Sequence, residues 1–106
     1  MLSFSEFSAT NRFRNQTCFA GDREWLEVDW GNAIAGEAGE LCNMIKKRKR
    51  NWKESDRIPD EDLGKEIADV ICYLDLLADK LDLSLEDVVR DKFNEVSDKY
   101  GCELKI

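Results

Sequence analysis

The stretch that decides the fold is "IADVICYLDLLA", which runs from Ile67 to Ala78. Its apolar residues recur on every side of a helix, and Asp69 and Asp75 are its only charged residues. A helix that is apolar all round has to be buried all round. Three further helices in a chain of 106 residues would struggle to cover it. We therefore expect self-association, as a homodimer or as a homotetramer built from dimers.

The rest of the chain predicts helices and no strands, because no useful length of strand alternation occurs. The four predicted helices cover roughly Ser3 to Gln16, Glu27 to Arg50, Pro59 to Leu81 and Ser84 to Tyr100. Pro59 suits the first turn of the third helix. Ser84 with Asp87 resembles a capping box, and Gly101 is a natural stop for the last helix. We therefore predict an all-α fold, a bundle of about four helices in a single domain of residues 1–106.

Composition narrows the kinds of partner. The chain is 37% charged and 42% hydrophobic, with a net charge of −7 and a pI near 4.6. Nucleic-acid and anionic-membrane binding need a positive footprint, so neither partner is expected. No run is long enough to span a membrane.

Cysteine and histidine usage limits the chemistry. The four cysteines form no C-x-x-C pair and the chain has no histidine, so zinc sites of the Cys/His type are not expected. An even count permits two disulfides. However, the start "MLSFSEFSATNRFRN" lacks the apolar core of a signal peptide, which favours reduced thiols and a cytoplasmic location. The absence of histidine also removes Ser-His and Cys-His nucleophile pairs.

Two acidic pairs lie at helical spacing on consecutive helices. Glu37 and Glu40 border the apolar stripe of the second helix, and Glu66 and Asp69 repeat the same spacing on the third. We expect these acids to lie away from the solvated face. If the pairs face each other, four carboxylates repel one another without a cation, and hard oxygen ligands favour Mg²⁺ or, in its place, Mn²⁺.

The alternative is that each pair is solvated and makes ion pairs with lysine or arginine. The second helix also contains Gly36 and Gly39, each of which costs roughly 1 kcal/mol relative to alanine in a helix interior. Our hypothesis is that these small residues let another backbone or a ligand approach the helix.

The two acidic motifs also carry a family resemblance. "GEAGEL" at 36–41 and "KEIADVICYL" at 65–74 resemble the E-x-x-E … E-x-x-D signature of the MazG-like nucleotide pyrophosphohydrolases, in the all-α NTP pyrophosphatase superfamily. The resemblance extends through the flanking helices, roughly from Trp30 to Gly101. It implies helices that associate into dimers or tetramers.

The same resemblance implies an activity. It is the Mg²⁺-dependent hydrolysis of nucleoside triphosphates to the monophosphate and pyrophosphate, which adjusts or cleans the nucleotide pool. Glu37, Glu40, Glu66 and Asp69 would be the metal ligands and catalytic residues, and one glutamate would also orient or deprotonate the attacking water. The alternatives are a dUTP-type or phosphoribosyl-ATP activity, or a non-catalytic helical oligomerisation or adaptor module.

Substrate contacts follow from the same resemblance. Lys47 and Lys92 are the expected cations for the phosphates. Trp25, Trp30 and Tyr73 are candidates for holding the base, although packing in the core or at an interface is an equal or better account of each.

The basic run "KKRKR" (Lys46 to Arg50), continued by Lys53, resembles a short nucleic-acid patch. In so acidic a chain we expect it instead to stabilise a helix C-terminus and to attract triphosphate.

Overall fold

The computed structural model describes residues 1–19, 24–50 and 57–106. Within these ranges the chain is helical and contains no strand, which confirms the all-α prediction. The helices are α1 (Phe4–Arg14), α2 (Glu27–Arg50), α3 (Asp60–Lys80) and α4 (Leu85–Lys99). A π-helical turn, Asn15–Phe19, continues α1 beyond its predicted end.

Local signals fix where the helices begin. The Ser3 hydroxyl accepts a hydrogen bond from the Glu6 amide at 3.1 Å, and the Glu6 carboxylate accepts one from the Ser3 amide at 3.3 Å. This reciprocal capping box satisfies two amides that a helix start leaves free. Ser84 caps α4 by accepting from the Asp87 amide at 3.2 Å. Pro59 stands immediately before α3, as its N-cap.

Left-handed residues end α3 and α4. Gly101, predicted as a stop, has φ of +66°, and Asp82 after α3 has φ of +60°. In both helices the next amide bonds back to a carbonyl of the last turn at 2.8 Å, from Leu83 to Ala78 after α3 and from Cys102 after α4. These are Schellman closures, which satisfy carbonyls that the helix itself leaves free.

Helices α2 and α3 form an antiparallel pair that positions the acids. Arg48 near the end of α2 pairs with Asp60 at the start of α3 at 2.5 Å. At the other end the rings of Trp30 and Tyr73 lie 6.1 Å apart between centroids. This arrangement brings the acidic motifs in the middle of the two helices opposite each other.

Helix α1 is attached to α3 through polar groups. Asp75 of α3 is completely buried, and its carboxylate accepts hydrogen bonds from Ser8 at 2.5 Å, Asn11 at 2.9 Å and Arg12 at 3.2 Å. The phenylalanines of α1 contribute less to this contact, since Phe13 is 66% exposed. The contact therefore depends on directional hydrogen bonds centred on Asp75, with further ones from Asn11 to the Cys72 carbonyl and from Arg12 to the Leu83 carbonyl.

Much of the apolar surface stays open in the single chain. Among the described residues the buried apolar ones are Trp30, Leu76 and Ala78 only. Exposed apolar side chains line α3 and α4: Ile67, Ile71, Leu74, Val88, Phe93, Val96 and Tyr100. A single chain thus leaves exposed the apolar surface that the sequence predicts to be buried.

Residues 20–23 and 51–56 lie outside the described residues, and Lys53, which continues the basic run, is one of them. None of the described helices is long and apolar enough to cross a membrane.

Candidate metal and nucleotide site

Three glutamates converge where the middle of α2 meets α3. One carboxylate oxygen each from Glu37, Glu40 and Glu66 lies within 4.8 Å of the other two. The spacing of three residues places Glu37 and Glu40 on the same side of α2, and the antiparallel pairing brings Glu66 opposite them. The pair on α2 and one acid of the pair on α3 thus supply a single cluster of carboxylate oxygens.

Asp69 lies beside this cluster but is not one of the three acids whose oxygens lie within 4.8 Å of one another. Its charge acts on both Glu37 and Tyr73, and its side chain lines the neighbouring cavity. The fourth predicted acid therefore connects the cluster of glutamates to the cavity.

The expected burial of the acids is only half right. Glu37 and Glu66 are half-buried, but Glu40 and Asp69 are exposed. Helix α3 covers the side of α2 that contains Glu37, whereas Glu40 lies farther round the helix. No other described helix of the same chain packs extensively against α2 to cover it.

The crowding of like charges changes the protonation of Glu37. Hydrogen bonding with Glu66 raises the pKa of Glu37 most, followed by partial desolvation and the charges of Glu40, Glu66 and Asp69, which together bring it to about 7 from 4.5. Without a cation, the Glu37 carboxyl group thus keeps its proton up to about neutral pH.

The cluster has the properties that a hard divalent cation requires. Its ligands are all carboxylate oxygens, and Oε2 of Glu66 is buried with no hydrogen-bond partner among the described residues. A buried acceptor without a donor is costly, and a divalent cation would satisfy it while offsetting the repulsion between the acids. The residues therefore fit Mg²⁺ or Mn²⁺.

The raised pKa of Glu37 predicts how stability depends on pH. The metal-free fold holds the Glu37 proton up to about pH 7, whereas the unfolded chain releases it near 4.5. The contribution of this group to the free energy of unfolding therefore falls as pH rises from about 4.5 to 7. Thermal melts in EDTA from pH 5 to pH 8 should show a steeper decline for the wild type than for Glu37→Gln.

Magnesium and a matched variant sharpen this measurement. Mg²⁺ competes with the proton on Glu37, so it should raise the melting temperature more at pH 8 than at pH 5. Glu27→Gln makes the same change at an exposed position of α2 and should keep the wild-type slope. Identical slopes for wild type and Glu37→Gln would contradict the raised pKa of Glu37.

A cavity of about 920 Å³ adjoins the acids at Asp69. It lies between the end of α1 with its π-helical turn, the start of α2 and the second half of α3. The described residues that line it include Asn11, Arg14, Phe19, Trp25, Trp30, Asp69, Tyr73, Asp79 and Lys80. Its volume lies at the upper end of the range usual for small-molecule sites, which is room enough for a nucleoside.

Aromatic rings form one wall of the cavity. The rings of Trp25 and Trp30 lie 4.4 Å apart at 51°, and Tyr73 follows next to Trp30. Burial, and then the charges of Glu37 and Asp69, raise the pKa of Tyr73, so its hydroxyl keeps its proton. All three aromatic residues singled out from the sequence thus meet at one cavity.

The two predicted phosphate-binding lysines lie elsewhere. Lys47 is exposed, about 10 Å along α2 from Glu40 by helical rise. Lys92 is on α4, where its ammonium pairs with Glu95 at 3.1 Å. Among the described residues, the cations of the cavity wall are Arg14 and Lys80.

Sequence reasoning missed the cavity residues of α1 and the end of α3. Lys80 pairs with Glu24 at 3.0 Å, and Arg14 lies over the Phe19 ring at 5.5 Å from its centroid. A stripe on α3 was the available signal for Lys80, because Glu66, Asp69, Tyr73 and Lys80 follow at steps of three, four and seven. Residues at such steps share one face of a helix.

Comparison with known proteins identifies a family. The family model described as the MazG nucleotide pyrophosphohydrolase domain matches residues 30–100, which contain all four acids. Neither the comparison with curated proteins nor that with solved structures gave a match.

Proposed function

Because the chain belongs to the MazG nucleotide pyrophosphohydrolase domain family, we propose that it hydrolyses nucleoside or deoxynucleoside triphosphates to the monophosphate and pyrophosphate, with Mg²⁺ as its cofactor. The observation that carries the proposal is the convergence of three glutamate oxygens within 4.8 Å, beside a cavity of nucleoside size. In the cell such an enzyme would adjust or clean the nucleotide pool.

Each acid has a role in this proposal. Glu37, Glu40 and Glu66 hold the cation, with Asp69 completing the site at the edge of the cavity. A bound Mg²⁺ supplies positive charge for the triphosphate and lowers the pKa of water, so no histidine base is needed. One of the glutamates orients the attacking water or accepts its proton.

The cavity holds the nucleoside in this proposal. A base stacks on the aromatic wall of Trp25, Trp30 and Tyr73, and the phosphates extend past Asp69 towards the glutamates. Such positioning, together with charge stabilisation, is most of what phosphoryl transfer requires.

The experiment is an assay of pyrophosphate release across natural ribo- and deoxyribonucleoside triphosphates. We expect turnover that depends on Mg²⁺ or Mn²⁺ and stops in EDTA, with pyrophosphate and monophosphate formed in equal amounts. A chain that binds Mg²⁺ without turnover, or that gives diphosphate and inorganic phosphate, would contradict the assigned activity.

We also propose that the open apolar face of α3 is covered by a second copy of the chain. Ile67, Ile71 and Leu74 are 49%, 41% and 41% exposed, and they follow at helical steps of four and three. Close approach of a second copy would also give Gly36 and Gly39 a purpose, since a Cβ at either position meets no atom within 4 Å in this chain.

Self-association is measured by light scattering after size exclusion. The wild type should have the mass of a dimer or tetramer. Ile71→Glu places a charge in the centre of the apolar face and should shift the mass towards the monomer. Lys65→Glu, an exposed change on the same helix outside that face, serves as the control. A monomeric wild type would end this part of the proposal.

A further inference from the structure

The Asn11 side chain is fixed in the cavity wall with a known amide orientation. Its Nδ2 donates to the Cys72 carbonyl at 3.0 Å and to the Asp75 carboxylate at 2.9 Å. The carbonyl can only accept, and the carboxylate receives donors from Ser8 and Arg12 as well, so a flipped amide would face acceptors with its oxygen. Asn11 is 4% exposed and lines the cavity. Its Oδ1 is therefore a rigid acceptor there.

Arg14 places hydrogen-bond donors beside this acceptor. Its Nη2 lies 3.4 Å from Oδ1 of Asn11, and its guanidinium carbon lies 5.5 Å from the centroid of the Phe19 ring. A hydrogen bond of 3.4 Å is long and weak, so a ligand donor can approach Oδ1, which has two lone pairs. The two residues thus present an acceptor next to a planar fork of donors.

We propose that Asn11 and Arg14 read the base of the nucleotide and select cytosine. The Watson–Crick edge of cytosine presents one donor, the 4-amino group, followed by two acceptors, N3 and O2. The amino group would donate to Oδ1 of Asn11, while the Arg14 fork would donate to N3 and O2. This inference rests on the proposed function, because it assigns the base that the same cavity holds.

Other bases satisfy the pair less completely. Uracil and thymine have carbonyls on both sides of the ring N–H. Arg14 supplies donors on only one side of the Asn11 acceptor. One carbonyl is then left without a donor, which discriminates against these bases. Adenine offers a donor and a single acceptor, so half of the fork stays unused. Guanine has a carbonyl where cytosine has its amino group.

The direct test compares dCTP and dUTP, which differ at the 4-position that meets Asn11 and at N3, which meets Arg14. In the wild type we expect kcat/KM for dCTP to exceed that for dUTP by about tenfold to a hundredfold, the range for a good bidentate base contact. Asn11→Ala should lower this ratio at least about fivefold, as should Arg14→Ala. Since the ratio is taken within one preparation, partial unfolding of a variant does not change it.

Ser8→Ala is the matched control for Asn11→Ala. Both changes remove one hydrogen bond to the Asp75 carboxylate, but Ser8 is not among the cavity residues. Ser8→Ala should therefore keep the wild-type dCTP to dUTP ratio. If Ser8→Ala lowers the ratio as much as Asn11→Ala does, the effect comes from the network at Asp75 and the inference is wrong.

Calorimetric binding of dCMP and dUMP separates this inference from the proposed reaction. If no triphosphate is hydrolysed, the proposed activity fails, and tighter binding of dCMP by about tenfold still supports the base contacts. Equal affinities, no binding of either monophosphate, or an unchanged preference in Asn11→Ala overturns the inference.

Discussion

Glu66→Gln is expected to lower kcat/KM for triphosphate hydrolysis by about 100-fold or more. The change removes the charge of the one glutamate that α3 contributes to the converging oxygens, and it removes the buried Oε2 that lacks a partner. Losing a single preorganised charge-stabilising contact costs enzymes about 10²- to 10³-fold. The measurement is pyrophosphate release at several Mg²⁺ concentrations.

Stability separates a site effect from a folding effect. Because Glu66→Gln relieves repulsion at Glu37, the metal-free variant should melt at or above the wild-type temperature. Mg²⁺ should stabilise it less than the wild type. Glu61→Gln makes the same change at an exposed position one turn earlier on α3 and should keep full turnover. Full turnover in Glu66→Gln would remove this residue from the site.

Asp75→Ala is expected to destabilise the fold by about 3 kcal/mol or more. The completely buried carboxylate accepts from Ser8, Asn11 and Arg12, and its loss removes one hydrogen bond from each of these three donors. Breaking a buried charge pair costs roughly 3–5 kcal/mol. For a domain of this size the melting temperature should fall by at least about 10 °C.

Asp79→Ala is the comparison for this variant. Asp79 contacts the same arginine at 3.4 Å, but its side chain is 41% exposed. An exposed pair of this kind contributes less than about 1 kcal/mol, so this variant should melt within a few degrees of the wild type. If the melting temperature falls by a similar amount in the two variants, burial of Asp75 does not determine the strength of its contact with Arg12.

Helix positions were readable from the sequence because their signals are local. The caps at Ser84 and Gly101 depend on neighbouring residues alone, and α2 has the predicted ends, Glu27 and Arg50. The acidic motifs were readable for the same reason, since spacing along a helix determines which side chains share a face.

Contacts between distant residues were harder to predict. Asp75 was visible as a charge in an apolar helix, yet nothing in its surroundings along the chain indicates that Asn11 and Arg12 pair with it. The large apolar residues of α1 are phenylalanines, yet Asn11 is its most buried residue. The residues that line the cavity were equally hard to predict, because they depend on how α1 packs against α3.

The hydrogen bonds that attach α1 to Asp75 and its neighbours fix the register of that helix. An apolar contact would tolerate sliding of one helix along the other. The hydrogen bonds to Asp75 form only when Asn11 and Arg12 occupy their present positions. Inserting or deleting one residue between these positions and the π-helical turn would rotate one part against the other by about 100°. The shape of the cavity is thus sensitive to the length of this segment. Many substitutions of outward-facing residues in the segment would leave the shape of the cavity unchanged.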